Sequence, residues 1–171
     1  MLYWIFDLDH TLYSLDKNER FSYSRLDKNA QLETQLNLLP CRKILFTNGT
    51  KGHAIKSLEK LGIIHHFRNN IHARDTLNAL KPGLESFDRI IEKVGIKPRD
   101  KVVFFEDTVE NLVTSKGYNW ITVLISPRKN LLPEVDFTFP NCNVALNFFL
   151  MEIINERRRQ ALLKKTLENK K

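Results

Sequence analysis

Short apolar runs alternate along this chain with segments in which apolar residues return every third or fourth position. The runs lie at Leu2–Phe6, 43–46, 70–72, 102–105, Ile121–Ile125 and 136–139, each of strand length. Helical spacing recurs over 30–39, 53–61, 83–94 and 108–116. Strand and helix in alternation predict an α/β fold, a parallel sheet covered on both faces, with ligands expected at the carboxyl ends of its strands.

Composition narrows the class. At 171 residues the chain suffices for one well-buried domain and is short for two. A hydrophobic content of 42% beside 27% charged residues is that of a soluble globular protein, and no apolar run approaches the length of a membrane span. The first strand starts almost at Met1, so no cleavable targeting segment is expected before it, and a cytoplasmic setting follows. Cys41 and Cys142 have no CxxC spacing and read as free thiols in a reducing compartment. His65 and His66, in the turn after the 53–61 helix, read as packed or exposed histidines and not as metal ligands.

Candidate chemistry collects at four strand ends or helix starts. Asp7-Leu8-Asp9-His10-Thr11 follows the first strand, and carboxylates two residues apart there point to one side, so one can attack while the other handles a proton. Thr47-Asn48-Gly49 closes the second strand ahead of a helix, where free backbone N–H groups and the Thr47 hydroxyl can bind an anion; an ordinary turn with Thr or Asn as N-cap fits the same residues. Lys81-Pro82-Gly83 stops the chain from being helical just after a lysine that can reach a phosphate as a point charge. Glu106-Asp107 ends the 102–105 strand, and adjacent carboxylates there suit Mg²⁺, a cation that takes hard oxygen ligands.

In this order the four pieces resemble the haloacid dehalogenase superfamily of aspartate-nucleophile phosphatases, over about residues 2–126. The wording Phe6-Asp7-Leu8-Asp9-His10-Thr11-Leu12-Tyr13, Thr47-Asn48-Gly49 through His53-Ala54, and Phe105-Glu106-Asp107-Thr108 through Asn111-Leu112 is most similar to the pyrimidine 5′-nucleotidase branch. The resemblance implies a three-layer α/β/α, Rossmann-like sandwich with the first strand central, between the second and the fourth. It implies Asp7 as nucleophile forming an aspartyl-phosphate, and Asp9 as the acid that protonates the leaving alkoxide and then activates water. Thr47, the Asn48 backbone N–H and Lys81 would grip the phosphate. Mg²⁺ would be held by the Asp7 carboxylate, the Asp9 carbonyl and Asp107, with Glu106 helping directly or through water.

Two segments depart from that pattern. The nucleotidase branch inserts a helical cap after the first motif, whereas residues 14–29 offer about sixteen positions, enough for a hairpin flap or a helical turn and too few for a bundle. A minimal cap is expected, with Phe21 and Tyr23 either stacking on a base or packing the flap down. His10 and His53 stand beside motif positions, and a structural or solvent-facing role is favoured for each. At the other end, 1–143 is expected to form the catalytic domain and 144–171 a C-terminal helix with a basic tail. Residues 144–154 are apolar nearly all round, which implies burial against the sheet or in a homodimer. Residues 156–171 carry seven basic and two acidic side chains, so most of the formal net charge of +7 belongs to the tail, where a solvated helix end is favoured over a nucleic acid or acidic partner.

The reading that results is a Mg²⁺-dependent phosphomonoester hydrolase for small phosphate esters such as nucleoside monophosphates, with no membrane partner. Its rivals are a phosphatase for phosphoprotein or polynucleotide ends, and a non-catalytic module that keeps the fold for partner contacts. Asp9 weighs against dehalogenation, because phosphoryl transfer needs a proton donor.

Overall fold

A computed structural model of the chain describes residues 1–15, 21–128 and 132–168, the side chains of 165–168 excepted. Residues 16–20 of the expected flap and the last three of the basic tail lie outside the described residues. In chain order the elements are β1 (Leu2–Phe6), α1 (Ala30–Leu38), β2 (Arg42–Thr47), α2 (Lys51–Leu61), β3 (Ile71–Ala73), α3 (Arg74–Leu77), α4 (Leu84–Val94), β4 (Lys101–Glu106), α5 (Val109–Lys116), β5 (Ile121–Ile125), β6 (Phe137–Phe139) and α6 (Cys142–Glu168). All six strands form one parallel sheet in the order β3-β2-β1-β4-β5-β6. The first strand is central between the second and the fourth, as expected, with Ile5 opposite Ile44 on one side and Phe104 on the other.

Alternation along β1 divides the core. Trp4 and Phe6 face α1, α2 and α6, packing with Leu32, Leu36, Leu58 and Leu146, while Tyr3 and Ile5 face α3, α4 and α5, packing with Leu77, Phe87, Ile90 and Leu112. Each such large side chain, removed from water, contributes roughly 1.5–3 kcal/mol. Phe6 and Phe105 stack across the β1–β4 pair at 4.6 Å between ring centroids, which fixes the register of the two strands that carry acidic ends.

Helix boundaries follow local chemistry. Asn29 caps α1 by accepting from Leu32 N–H, and Thr50 caps α2 by accepting from His53 N–H. The anion-loop candidates Thr47 and Asn48 are therefore not the cap of α2; they precede it. Gly62 ends α2 at φ 76°, a left-handed conformation that a side chain would strain. The C-terminal helix begins at Cys142, slightly before the expected 144, and its first turns belong to the main core: Ala145 and Leu146 are fully buried. Gln35 of α1 donates to Asn143 O at 2.9 Å and to Asn147 Oδ1 at 2.7 Å, tying α1 to α6. The segment expected to be apolar all round thus divides, with Phe149, Leu150 and Ile153 turned inward and Val144, Phe148, Met151 and Ile154 left on the surface.

Candidate active site

Three neighbouring strands deliver the acidic and anion-binding candidates to one place. β2, β1 and β4 lie side by side and end at Thr47, Phe6 and Glu106, so the residues at and just beyond those ends open on one cleft. That cleft, about 210 Å³, is lined by Asp7, Asp9, Thr47, Asn48, Lys81 and Asp107, with Glu106 in its floor. Every site residue expected from the sequence is brought together there.

Lys81 is the charge at its base. It comes from the loop between α3 and α4, and its backbone is clasped by the Asn48 side chain: Lys81 N–H donates to Asn48 Oδ1 at 2.8 Å and Asn48 Nδ2 donates to Lys81 O at 2.9 Å. The ammonium is buried and donates to Asp7 Oδ1 at 2.8 Å, Glu106 Oε2 at 2.5 Å and Phe46 O at 2.8 Å, filling its three protons. Rings of Phe46 and Phe104 lie 5.0 and 5.3 Å from it, a further favourable contact for a cation out of water.

Glu106 is held as firmly. Its Oε1 accepts from the N–H groups of Asp107 and Thr108, and its Oε2 accepts from Lys81 and from Asn111 Nδ2. Asp7, Glu106 and Asp107 carry carboxylate oxygens within 4.8 Å of one another, a group able to hold a metal ion. Burial and the neighbouring Glu106 push Asp7 up to about 7, against the pull of Lys81. Burial also raises Glu106 and Asp107 above the ordinary carboxylate range. Burial opposes the Lys81 charge, but the carboxylates of Asp7 and Glu106 more than offset it, so the ammonium lies above its ordinary value and stays charged. Three acids thus share one cation in a poorly solvated place.

Asp9 has a different environment. Its Oδ1 accepts from the Tyr13 hydroxyl and pairs with His53 Nε2 at 2.8 Å. Burial and the bond to Asp9 raise the Tyr13 phenol far above its ordinary value, so it remains a donor. Thr47, almost fully buried, accepts from Gly49 N–H at 2.9 Å and keeps its own hydroxyl proton to donate.

Sequence reasoning missed Tyr13, Asn111 and the Asn48 clamp on Lys81. Tyr13 had a signal, four residues past Asp9 and within reach once the chain turns; Asn111 had the spacing from Glu106 that places it on the first turn of α5. The clamp joins residues 33 apart and had none. Of the two roles favoured for His53, structural or solvent-facing, the structure supports the structural one and gives it a partner, since the ring reaches Asp9. Phe21 and Tyr23 pack on the His53 ring at 5.1 and 5.7 Å between centroids, the flap-packing alternative. His65 and His66 lie together in a short 3-10 turn, away from the cleft lining.

Among solved structures, similar folds include a HAD phosphatase from Thermococcus onnurineus, with a TM-score of 0.57, 20% identity, and 71% of this chain and 57% of that one covered. The L-2-haloacid dehalogenase of Xanthobacter autotrophicus, solved with chloropropionic acid covalently bound, has a TM-score of 0.60 at 15% identity over 74% of this chain and 62% of the other. A proposed beta-phosphoglucomutase from Thermotoga maritima has a TM-score of 0.67 at 13% identity, covering 87% of this chain and 98% of that one. The chain therefore spans less than two thirds of the first two structures and nearly all of the third. At these identities the likeness is one of fold. A family model described as haloacid dehalogenase-like hydrolase matches residues 30–116, just over half of the sequence, and the chain belongs to that family.

Proposed function

We propose that the protein is a Mg²⁺-dependent phosphomonoester hydrolase that works through an aspartyl-phosphate on Asp7. The observation that carries this reading is the buried Lys81 ammonium bridging Asp7 and Glu106, with Asp107 beside them and Asp9, held at Oδ1 by Tyr13 and His53, lining the same cleft. The donor set is all hard oxygen, the three acids are raised by burial, and Asn111 Oδ1 is buried without a hydrogen-bond partner, so a small divalent cation fits the site. Asp7, Asp107 and the Asp9 carbonyl would hold it. Glu106, whose lone pairs are already taken, serves as the anchor of Lys81. When bound, such a cation neutralises charge so that one anion can approach another.

The chain's own residues account for the rest. Lys81 fixes Asp7 Oδ1, which leaves the second oxygen to attack phosphorus as the bond to the leaving oxygen breaks. Asp9 gives that oxygen a proton, then takes one from the water that cleaves the bond between phosphorus and Asp7. The Thr47 hydroxyl and the Asn48 backbone N–H face the equatorial oxygens, where charge collects in the transition state, while Lys81, expected to grip the phosphate, has its three protons engaged and acts instead through Asp7.

Substrate breadth follows from the surroundings. A polar groove of about 740 Å³ adjoins the cleft at His10 and Asp107 and takes in Ser14, Asn29, Arg128 and Asn143. It is roomy enough for small leaving groups of several kinds, nucleoside monophosphates included. Free Cys41 and Cys142 accord with the cytoplasmic setting we propose. The test is kcat/KM, with Mg²⁺, across nucleoside monophosphates, sugar phosphates, nitrophenyl phosphate, phosphopeptides and 3′-phosphorylated oligonucleotides. Small esters should all turn over and differ by about 1–2 kcal/mol. A thousandfold preference for a macromolecular end, about 4 kcal/mol, would replace this reading with that of an end-processing phosphatase.

A further inference from the structure

The acid/base residue is held by a chain of side chains that begins in the flap. Tyr23, in the 3-10 turn Tyr23–Arg25, has its hydroxyl 3.0 Å from His53 Nδ1, and His53 Nε2 lies 2.8 Å from Asp9 Oδ1. One tautomer satisfies both contacts: Nε2 donates to Asp9 and Nδ1 accepts from Tyr23. Phe21 meets the imidazole edge-on at 5.1 Å, and Lys56 Nζ lies over the Tyr23 ring at 5.8 Å, so the ring is packed as well as hydrogen-bonded.

Two further observations give this chain a direction. Tyr13 donates to the same oxygen as His53, so Oδ1 of Asp9 is occupied twice and Oδ2 is left to meet the leaving oxygen. Gly49 makes the approach feasible, because a Cβ there would stand 3.0 Å from His53 Cδ2 and 3.7 Å from Asp9 Oδ2. A side chain at 49 would press on the imidazole, which would have to give by a few tenths of an ångström, and would lie in van der Waals contact with Asp9 Oδ2.

We propose that His53, itself held by Tyr23, is the positioning residue of the proton-transfer step, turning Asp9 so that Oδ2 faces the leaving group. The inference rests on the phosphatase reading above. It makes residues 21–25 part of the machinery for breaking the ester bond, since displacing Tyr23 loosens His53 and so weakens one of the two contacts that hold Asp9 Oδ1. His53 touches no phosphate oxygen in this scheme, and its effect passes through Asp9 alone.

The experiment compares nitrophenyl phosphate, whose leaving group departs with little help from an acid, with glycerol phosphate, whose alkoxide needs a proton. In the full chain, His53→Ala should lower kcat on glycerol phosphate by about 30-fold or more, with KM within about twofold, and lower kcat on nitrophenyl phosphate by less than about fivefold. His53→Gln places an amide N–H toward Asp9 and should recover most of the loss. Tyr23→Phe keeps the ring packing, removes only the bond to Nδ1, and should give the same ester-selective loss at about three- to tenfold; it carries the test if His53→Ala does not fold. Equal losses on the two esters, no loss on glycerol phosphate, or a Gln variant no better than Ala would overturn the inference while wild-type turnover leaves the phosphatase reading standing. A wild type that hydrolyses neither ester overturns both.

Discussion

The Asn48 side chain grips the Lys81 peptide at both its N–H and its carbonyl, at 2.8 and 2.9 Å, and so aims the lysine at Asp7 from a loop that has no strand or helix of its own. An amide can make both bonds at once. Asn48→Asp would lose its donor and Asn48→Ala both partners. The position explains why an amide follows Thr47, which an anion-binding turn alone does not require.

Removing the Lys81 charge should cost more at high pH than at low pH. Lys81→Met leaves Asp7 and Glu106 buried without their cation, a loss of about 3–5 kcal/mol when both are ionised. At pH 5 Asp7, raised to about 7 by burial, takes up a proton instead, and burial shifts Glu106 in the same direction. Urea midpoints of variant and wild type at pH 5 and pH 8 check this, and equal losses at the two values would contradict it.

Mg²⁺ should stabilise the protein increasingly as pH rises from about 5 to 8. Asp7 is raised from 3.8 to about 7, so between those values the folded chain holds a proton that the unfolded chain has released, and stability falls as pH rises through that window. A cation relieves the penalty only where Asp7 is ionised. His66 and His72, lowered to about 4 by burial, act in the opposite sense: their contribution is lost as pH falls from 6.5 towards 4. That effect is common to samples with and without Mg²⁺, so the difference in Tm between them isolates the acidic site. A Tm difference that is flat with pH would mean the cation binds elsewhere.

The two motif aspartates should separate by leaving group. Asp7→Asn removes the proposed nucleophile and should abolish turnover of every ester. Asp9→Asn removes proton transfer and should slow alkyl esters by about 100-fold or more while sparing much of the nitrophenyl phosphate rate. Steady-state rates on both esters decide, and equal losses from Asp9→Asn would remove its acid/base role.

Truncation after Asn155 should leave small-ester turnover within about twofold. Side chains from Glu156 to Lys164 are exposed, and the inward face of α6 that packs on the core ends with Ile153. Rates and Tm of the truncated chain against the full chain are the measurement; a collapse of activity in a folded truncation would make the tail part of the site.

Much of this arrangement was legible because the sheet is buried on both faces. Its strands show as compact apolar runs, and Leu2–Phe6 and Ile121–Ile125 coincide with the observed β1 and β5. Parallel strands also send their chemistry to one end, so Asp7, Thr47 and Glu106 group together from the sequence alone. Less legible was the difference between residues that react and residues that hold. Glu106 reads as an auxiliary ligand beside Asp107, helping directly or through water, yet it is nearly sealed and engaged by four donors. His53 could not be joined to Asp9 from spacing, because the contact depends on how α2 leaves the Gly49 turn. α3, only four residues long, carried no periodicity to find.

Position in the sheet also governs which part of the molecule lets go first. β1 is hydrogen-bonded to neighbours on both sides and covered on both faces, whereas β6 is a three-residue edge strand with no fully buried residue. Backbone amides of 3–6 should therefore exchange with solvent only when the whole domain opens, and those of 137–139 through local fraying. Asp7, the proposed nucleophile, directly follows this central strand, so fraying at the edge should not move Asp7 relative to Lys81.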